Sequence, residues 1–130
     1  MKPIGIIRTN FQDRDSAPFQ GLGDALHPGS LEVFAEFVEG MRSIEEGRWG
    51  MILFHFHRST GYKLTTTSKS SGCTLGVFST RSPNRPNGIG ISVVRFTRID
   101  GHRFDFLGAD MLDGTPLLDV KPYDPGLYPR

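Results

Sequence analysis

The sequence predicts a mostly-β domain with one or two helices, closed into a small β-barrel outside the doubly wound nucleotide-binding plan. Three observations support this fold class. About seven short segments rich in β-branched and aromatic residues are separated by turn residues. A single segment has the spacing of an amphipathic helix. The 130 residues include 16 glycines and 9 prolines, a composition that suits a turn-rich β protein.

The first predicted elements are two strands joined by a long loop. The opening IGIIRT, residues 4–9, is short and β-branched and lies between Pro3 and Asn10, which predicts a strand. A polar loop with scattered Gly and Pro follows over residues 10–29, and long loops in compact domains are often functional. The alternating SLEVF, residues 30–34, predicts the second strand.

The middle of the chain predicts one helix, one buried strand and one connector. From Phe34 to Ile44 apolar residues recur at helical intervals, with acidic residues mostly opposite, so we expect an amphipathic helix ending near Gly47. We attribute its apolar stripe to core packing. Residues 49–59, WGMILFHFHRS, form the strongest apolar run and predict a buried strand. The Ser/Thr-rich residues 60–74 predict a flexible connector.

The C-terminal half predicts four further strands. They cover residues 75–80, 89–99, 103–112 and 116–123. Asp100-Gly101 is a hairpin turn signal between the second and third of them. Because no internal repeat and no change of composition divides the chain, we expect one domain over residues 1–130.

Composition limits the classes of function. A net charge of +1 argues against a nucleic-acid surface built from charge alone, so any polyanion would be read by a local cluster. Cys73 is the only cysteine, which excludes an intramolecular disulfide, and it is best interpreted as a passive thiol. The N-terminal stretch has no long apolar run, so we expect no signal peptide, no membrane span and a cytoplasmic protein.

The stretch STRSPNRPNG, residues 79–88, predicts a stiff loop that carries two guanidiniums. Pro83 and Pro86 fix their own backbone angles and restrict the residues before them. Arg81 and Arg85 therefore lie on a preorganised frame, and arginine matches carboxylate and phosphate groups well. Residue types alone leave two interpretations open: the arginines bind an anionic ligand, or they tie the loop to acidic residues elsewhere.

A second dense stretch is MLDGTPLLDVKPY, residues 111–123. Asp-Gly followed by Thr-Pro predicts a tight turn that brings together a carboxylate, a hydroxyl and free backbone groups. Such a turn can hydrogen-bond an adenine edge or a ribose. An ordinary hairpin turn is the other interpretation.

Two histidines and two glycines are candidates for a metal site and a dinucleotide-binding motif, respectively. His55 and His57 would share one face of the predicted strand, but no third ligand is near in sequence, so we expect no metal site. His57 is better interpreted as a hydrogen-bonding group at a strand end. The fragment GIG, residues 88–90, precedes a strand and lacks the glycine-rich dinucleotide-binding fingerprint.

Two stretches together, GVFSTRSPNRPNGIGISVV and DMLDGTPLLDVKPY, resemble one family. With these two stretches the chain resembles the TsaA/TrmO-like domain family, which includes the tRNA N6-threonylcarbamoyladenosine methyltransferases. The matches IGIIRT, APFQG and ILFHFHRS extend the resemblance from Ile4 to Pro125.

The resemblance implies a small barrel that binds S-adenosyl-L-methionine, commonly as a homodimer with sites near the subunit interface. It also implies methyl transfer to N6 of threonylcarbamoyladenosine at position 37 of tRNA, which makes tRNA the expected partner. Two alternatives from other classes are an S-adenosylmethionine-binding module with a regulatory or scaffolding role, and a methyltransferase acting on a small molecule.

The resemblance also implies a set of cofactor-binding residues. Carried over by position, they are Gln20, Gly21, Leu22, His57, Arg58, Ser59, Thr60, Arg81, Arg85, Asn87, Leu112, Asp113, Gly114 and Thr115. Within this set the arginines suit the carboxylate of the cofactor, and the Asp-Gly-Thr turn suits its adenosine. The target nitrogen must lose a proton, and the candidate acceptors are Asp113, His57 and water.

Overall fold

The computed structural model describes residues 1–12 and 26–127. The strands in this part of the chain are β1 Gly5–Arg8, β2 Pro28–Val33, β3 Trp49–His55, β4 Thr65–Thr67, β5 Thr74–Gly76, β6 Ile89–Asp100, β7 Arg103–Leu107 and β8 Thr115–Pro122. Helical structure in the same ranges is confined to the 3₁₀ segments Ala35–Met41, Val77–Ser79 and Pro125–Leu127. The predicted mostly-β class is confirmed. No helix in the described residues has the length and apolar character needed to span a membrane.

Six strands form one antiparallel sheet that closes on itself. Their order is β1-β2-β7-β6-β3-β8, and β8 pairs back onto β1. Closure gives every strand two hydrogen-bonded neighbours, so the sheet has no open edge. The predicted hairpin at Asp100-Gly101 joins β6 to β7, with Asp100 opposite Arg103 and Gly101 at φ 62°. This prediction is confirmed.

The core fills the inside of the barrel because side chains alternate along each strand. Along β6, buried residues alternate with exposed or half-buried ones from Ile89 to Thr97. Ring stacking contributes as well: Phe96 and Phe104 meet edge to face with centroids 6.5 Å apart. The largest fully buried side chains are Phe96, Phe106, Ile7, Leu31, Ile52, Leu117, Val33, Val77 and Val94.

The predicted amphipathic helix is shorter than expected. It is a seven-residue 3₁₀ segment, Ala35–Met41, rather than a helix ending near Gly47. Ser43 at φ 79° and Gly47 at φ 87° lie in the left-handed region, which a continuous right-handed helix does not allow. The packing assignment was correct, since Met41 is buried in the core and Phe37 packs against it.

The strand predicted over residues 75–80 was wrong in extent. The strand ends at Gly76, and the chain continues as the 3₁₀ segment Val77–Ser79. β5 pairs with β4, which lies inside the predicted flexible connector, and the two form a separate two-stranded sheet. Only Val77 of this region reaches a buried position, while Phe78 is 73% exposed. The apolar residues Leu75 and Phe78 are thus exposed, and the segment after Gly76 does not continue as a strand.

Gly5 offers a test of how tightly the barrel closes. A Cβ at this position would overlap the backbone carbonyl oxygen of Glu32 and lie 3.0 Å from Val33 Cα. Because the obstacle is the paired strand itself, we expect Gly5→Ala to lower the free energy of unfolding by about 1–3 kcal/mol in urea titrations. Gly40→Ala is the matched control, since nothing lies within 4 Å of its added Cβ. Equal loss in both variants would contradict this account.

Candidate functional site

A cavity of about 800 Å³ opens where four parts of the fold meet. Its walls come from the C-terminal end of β3, the start of β6, the loop at residues 79–88 and the segment at residues 110–115 that leads into β8. The volume lies within the range of small-molecule sites. A second cavity of about 490 Å³, lined partly by residues 60–66, shares Ser82 with the first.

The loop at residues 79–88 is held by short local hydrogen bonds. Thr80 Oγ1 donates to the Val77 carbonyl at 2.8 Å and accepts from the Ser82 amide at 3.3 Å. The Asn84 amide in turn donates to Ser82 Oγ at 3.2 Å. These bonds, added to the two prolines, give the loop a defined shape before any ligand arrives.

Both arginines of this loop line the cavity, and neither forms an ion pair with a described residue. Arg85 Nη1 donates to the carbonyls of Thr80 and Ser82 at 3.0 and 3.2 Å, and its guanidinium lies 5.8 Å from the ring centroid of Phe78. Arg81 Nη1 donates to the Ile91 carbonyl at 3.3 Å. A guanidinium has five N–H donors, so these bonds leave donors available to an anionic ligand.

The turn that follows β3 contributes His57, Arg58 and Ser59 to the cavity. Burial lowers the pKa of His57, and the charges of Arg58 and His55 act in the same direction, against a hydrogen bond with the His55 backbone. The imidazole is therefore neutral at pH 7. Arg58 Nη1 donates to the Gln12 carbonyl at 2.6 Å, which ties the cavity rim to the residues after β1.

The expectation that His55 and His57 share a strand face was wrong, because β3 ends at His55. His57 follows in a turn, where its amide donates to the His55 carbonyl at 2.8 Å. Across residues 1–12 and 26–127, no three His, Cys, Asp or Glu side chains lie close enough to hold a metal ion.

Two residues of the Asp-Gly-Thr turn point to different places: Thr115 lines the cavity, and Asp113 contacts the end of β1. Thr115 is buried at the cavity, and its Oγ1 donates to the Leu112 carbonyl at 2.6 Å. The Asp113 carboxylate instead accepts from the Thr9 amide at 3.1 Å and lies 4.0 Å from Arg8 Nη1. Asp113 therefore anchors the turn to the end of β1 rather than facing the cavity.

The structure brings together most of the residues that the resemblance implied. Those that line the main cavity are His57, Arg58, Ser59, Arg81, Arg85, Asn87, Leu112 and Thr115. Thr60 lines the second cavity, while Asp113 and Gly114 line neither. Gln20, Gly21 and Leu22 lie outside the described residues.

Sequence reasoning missed a polar pair at the cavity: Asp110, which lines its wall, and Ser92, which hydrogen-bonds to Asp110. Ser92 Oγ donates to Asp110 Oδ1 at 2.7 Å, and Ser92 is 5% exposed. Burial raises the pKa of the Asp110 carboxyl, partly offset by the Ser92 hydrogen bond and the charge of Arg81. The available signal was Ser92 itself, a polar residue at an inward position of an otherwise apolar alternating strand.

Aromatic side chains supply the apolar surface of the cavity. Phe54 and Phe56 meet edge to face with ring centroids 5.4 Å apart, and Phe78 adds a third ring. Gly90 makes this arrangement possible, because a Cβ there would overlap the Phe54 ring and approach the Phe56 ring to 2.8 Å. The cavity thus combines aromatic rings with one half-buried carboxyl and two guanidiniums that form no ion pair with the described residues.

Comparison with known proteins gives consistent matches over nearly the whole chain. The family model of the tRNA-methyltransferase O N-terminal domain matches residues 6–127. A probable S-adenosyl-L-methionine-binding protein of Pyrococcus abyssi is 44% identical over 124 residues, covering 95% of this chain and 67% of that protein. A tRNA (adenine(37)-N6)-methyltransferase of Mus musculus is 34% identical over 129 residues, covering 94% of this chain and 30% of that protein.

The fold has a solved counterpart. The crystal structure of TrmO from Pseudomonas aeruginosa superimposes with a TM-score of 0.79 at 40% identity, over 97% of this chain and 56% of that one. The chain therefore spans little more than half the length of that solved protein. With a matching family model, relatives above 30% identity and the shared fold, the chain belongs to the TsaA/TrmO-like family defined by the tRNA-methyltransferase O N-terminal domain.

Proposed function

We propose that the main cavity binds S-adenosyl-L-methionine and that the protein transfers its methyl group to N6 of threonylcarbamoyladenosine at position 37 of tRNA. The observation that carries the proposal is the pair Arg81 and Arg85, which line the cavity on a stiff loop without an internal acidic partner among the described residues. This geometry favours ligand binding over the alternative of internal ion pairing.

The chemistry of the cavity matches that of the cofactor. The carboxylate of the cofactor suits the N–H donors of Arg81 and Arg85, since charge-assisted hydrogen bonds are among the strongest that proteins make. Its adenine suits a surface made of aromatic rings. Leu112 and Thr115, at the inner side of the Asp-Gly-Thr turn, are placed to contact the adenosine part, as the resemblance implied.

Methyl transfer is an in-line substitution, so the protein contributes mainly by aligning the acceptor nitrogen with the methyl carbon. Of the proton acceptors suggested by the sequence, His57 lies in the cavity wall and is neutral at pH 7. Asp113 is engaged with Thr9 and lies outside the wall. The geometry therefore supports His57 better than Asp113 for contact with reacting groups.

A tRNA acceptor is supported by the name of the Mus musculus relative and by the second cavity. That cavity adjoins the first at Ser82 and carries Tyr62 and Lys63, an aromatic ring beside a cation, which suits a nucleotide. A tRNA substrate also implies a cytoplasmic location. The alternative of a binding module without transfer is supported by the name of the Pyrococcus abyssi relative, which mentions binding alone.

A homodimer with sites near its interface is part of the proposal. Ile91 and Val93 of β6 are 42% and 40% exposed, and they lie opposite Leu53 and Met51 of β3 on the outside of the barrel. Ile91 also lines the cavity. An interface on this apolar strip would therefore bring a second subunit beside the bound cofactor.

Arg85→Ala tests the cofactor site. Loss of its charge-assisted bonds is expected to weaken binding of S-adenosyl-L-methionine by about 1–3 kcal/mol, roughly 5- to 150-fold in Kd. Isothermal titration calorimetry measures the change. Arg98→Ala is the matched control, because Arg98 lies on the exposed outside of β6. An unaltered Kd in Arg85→Ala would remove this residue from the site.

Mass spectrometry of tRNA nucleosides tests the acceptor. After incubation of threonylcarbamoyl-containing tRNA with the protein and isotopically labelled cofactor, we expect threonylcarbamoyladenosine to gain one labelled methyl group. A parallel reaction with S-adenosyl-L-homocysteine in place of the methyl donor is the control. Cofactor binding by calorimetry without methylated nucleoside would favour the binding module or a small-molecule acceptor instead.

A further inference from the structure

One carboxyl group facing the main cavity is that of Asp110, the first residue of the DMLDGTPLLDVKPY stretch, and it is not among the cofactor contacts or proton acceptors named so far. Asp110 is the only acidic residue among the described residues that line this cavity. It lies in the segment before the Asp-Gly-Thr turn, and no described Lys, Arg or His forms an ion pair with it. Asp110 is half-buried, and the positive charge of Arg81 acts on its carboxyl. Desolvation of a carboxylate is costly, and carboxyls perturbed in this way cluster at functional sites.

The Asp110 carboxyl is held by one defined hydrogen bond. Ser92 Oγ, projecting inward from β6, donates to Asp110 Oδ1 at 2.7 Å. A carboxylate offers about four lone-pair sites, so this bond fixes the orientation of the group and leaves acceptor capacity for a ligand. Ser92 is 5% exposed, which means that the hydroxyl is held by the barrel rather than by solvent.

The surroundings of Asp110 make it a better proton acceptor than an ordinary aspartate. Burial raises its pKa, while the Ser92 hydrogen bond and the Arg81 guanidinium oppose the rise without cancelling it. The other ionisable groups of the cavity wall are His57, Arg58 and Arg85. A general base gains efficiency as its pKa moves toward the working pH.

We propose that Asp110 accepts the proton released by the nitrogen that is methylated, and that Ser92 is a positioning residue that orients the carboxylate. This inference rests on the proposed function. It assigns the proton to a residue other than His57 and Asp113. Asp110 lies deeper in the wall than the exposed His57, and it faces the cavity, which Asp113 does not.

The N6–H bond breaks and the proton passes to the free oxygen of the Asp110 carboxylate. The electron pair left on nitrogen forms the bond to the methyl carbon as the carbon–sulfur bond breaks, and the electron pair of the carbon–sulfur bond stays with sulfur. The products are a neutral thioether, the N6-methylated nucleoside and a protonated Asp110, which then releases its proton to water.

Asp110→Asn tests the assignment, because asparagine keeps the shape and can still accept the Ser92 hydrogen bond but is not a base. We expect single-turnover methyl transfer to threonylcarbamoyl-containing tRNA to fall by about 10²- to 10⁴-fold. The Kd for S-adenosyl-L-methionine should stay within about twofold of the wild-type value. Asp119→Asn, in the exposed ion pair with Lys121 on β8, is the matched control and should transfer normally.

Thermal melting shows whether the variant folds and supplies a separate check on burial. Since the folded pKa of Asp110 is raised, its contribution to stability is fully present below the unfolded pKa and is lost as pH rises through the folded value. Asparagine does not ionise. Asp110→Asn should therefore melt higher than wild type at pH 8, with a smaller difference at pH 4.

Two further variants separate a chemical role from a structural one. Asp110→Ala leaves room for a small carboxylate, so added sodium formate should raise the methyl-transfer rate of this variant at least tenfold. Ser92→Ala should lower the rate about three- to tenfold, with an unchanged Kd for the cofactor. Rescue by formate is not expected if Asp110 serves only to hold the fold.

Each other outcome overturns the inference in a distinguishable way. A transfer rate in Asp110→Asn within tenfold of wild type would exclude the general-base role. Weaker binding of S-adenosyl-L-methionine but not S-adenosyl-L-homocysteine would make Asp110 the counter-ion of the sulfonium, and weaker binding of both would make it a partner of the cofactor ammonium. If wild-type protein binds the cofactor but methylates no tRNA, the proposed function fails, and the inference fails with it.

Discussion

Pairing of β1 with β8 closes the barrel, and the position of every wall of the cavity depends on that closure. Gly5, Ile6 and Ile7 lie opposite Leu117, Pro116 and Thr115, so the segment leading into β8 is brought to the end of β1. There the Asp113 carboxylate accepts from the Thr9 amide, and the Gly114 amide donates to the Ile7 carbonyl. These contacts hold the turn so that Thr115 and Asp110 face inward across from β6.

Closure also brings distant parts of the chain to one place. β8 pairs with β3 on its other side, so the turn at residues 110–115 lies beside the end of β3, which leads into the turn with His57 and Arg58. β3 pairs with β6, whose start carries Gly90 and is preceded by the arginine loop. A ring of antiparallel strands thus gathers three segments that are far apart in sequence, without a helix dipole or a glycine-rich phosphate loop.

The charges in the cavity are arranged for a ligand with both signs of charge. Arg81 and Arg85 present cations from the stiff loop, while Asp110 presents a carboxyl from the opposite segment. Arg81 is exposed while Arg85 and Asp110 are half-buried, so the last two groups are partly shielded from bulk water, which strengthens their electrostatic contacts. An amino-acid sulfonium attached to an adenosine has the matching groups, and the proposed cofactor assignment follows from that correspondence together with the family.

The sequence by itself determined the mostly-β class, the Asp100-Gly101 hairpin, the core role of the Phe37 and Met41 stripe and the arginine loop, because local propensity, turn chemistry and alternation set all four. Motif resemblance led to the family and to a set of residues most of which line the cavity. Only the tertiary structure decided that Asp113 turns to β1, that β5 leaves the barrel to pair with β4, and that Asp110 meets Ser92. Such contacts join residues far apart along the chain, and their geometry is set by sheet closure and register rather than by any local pattern.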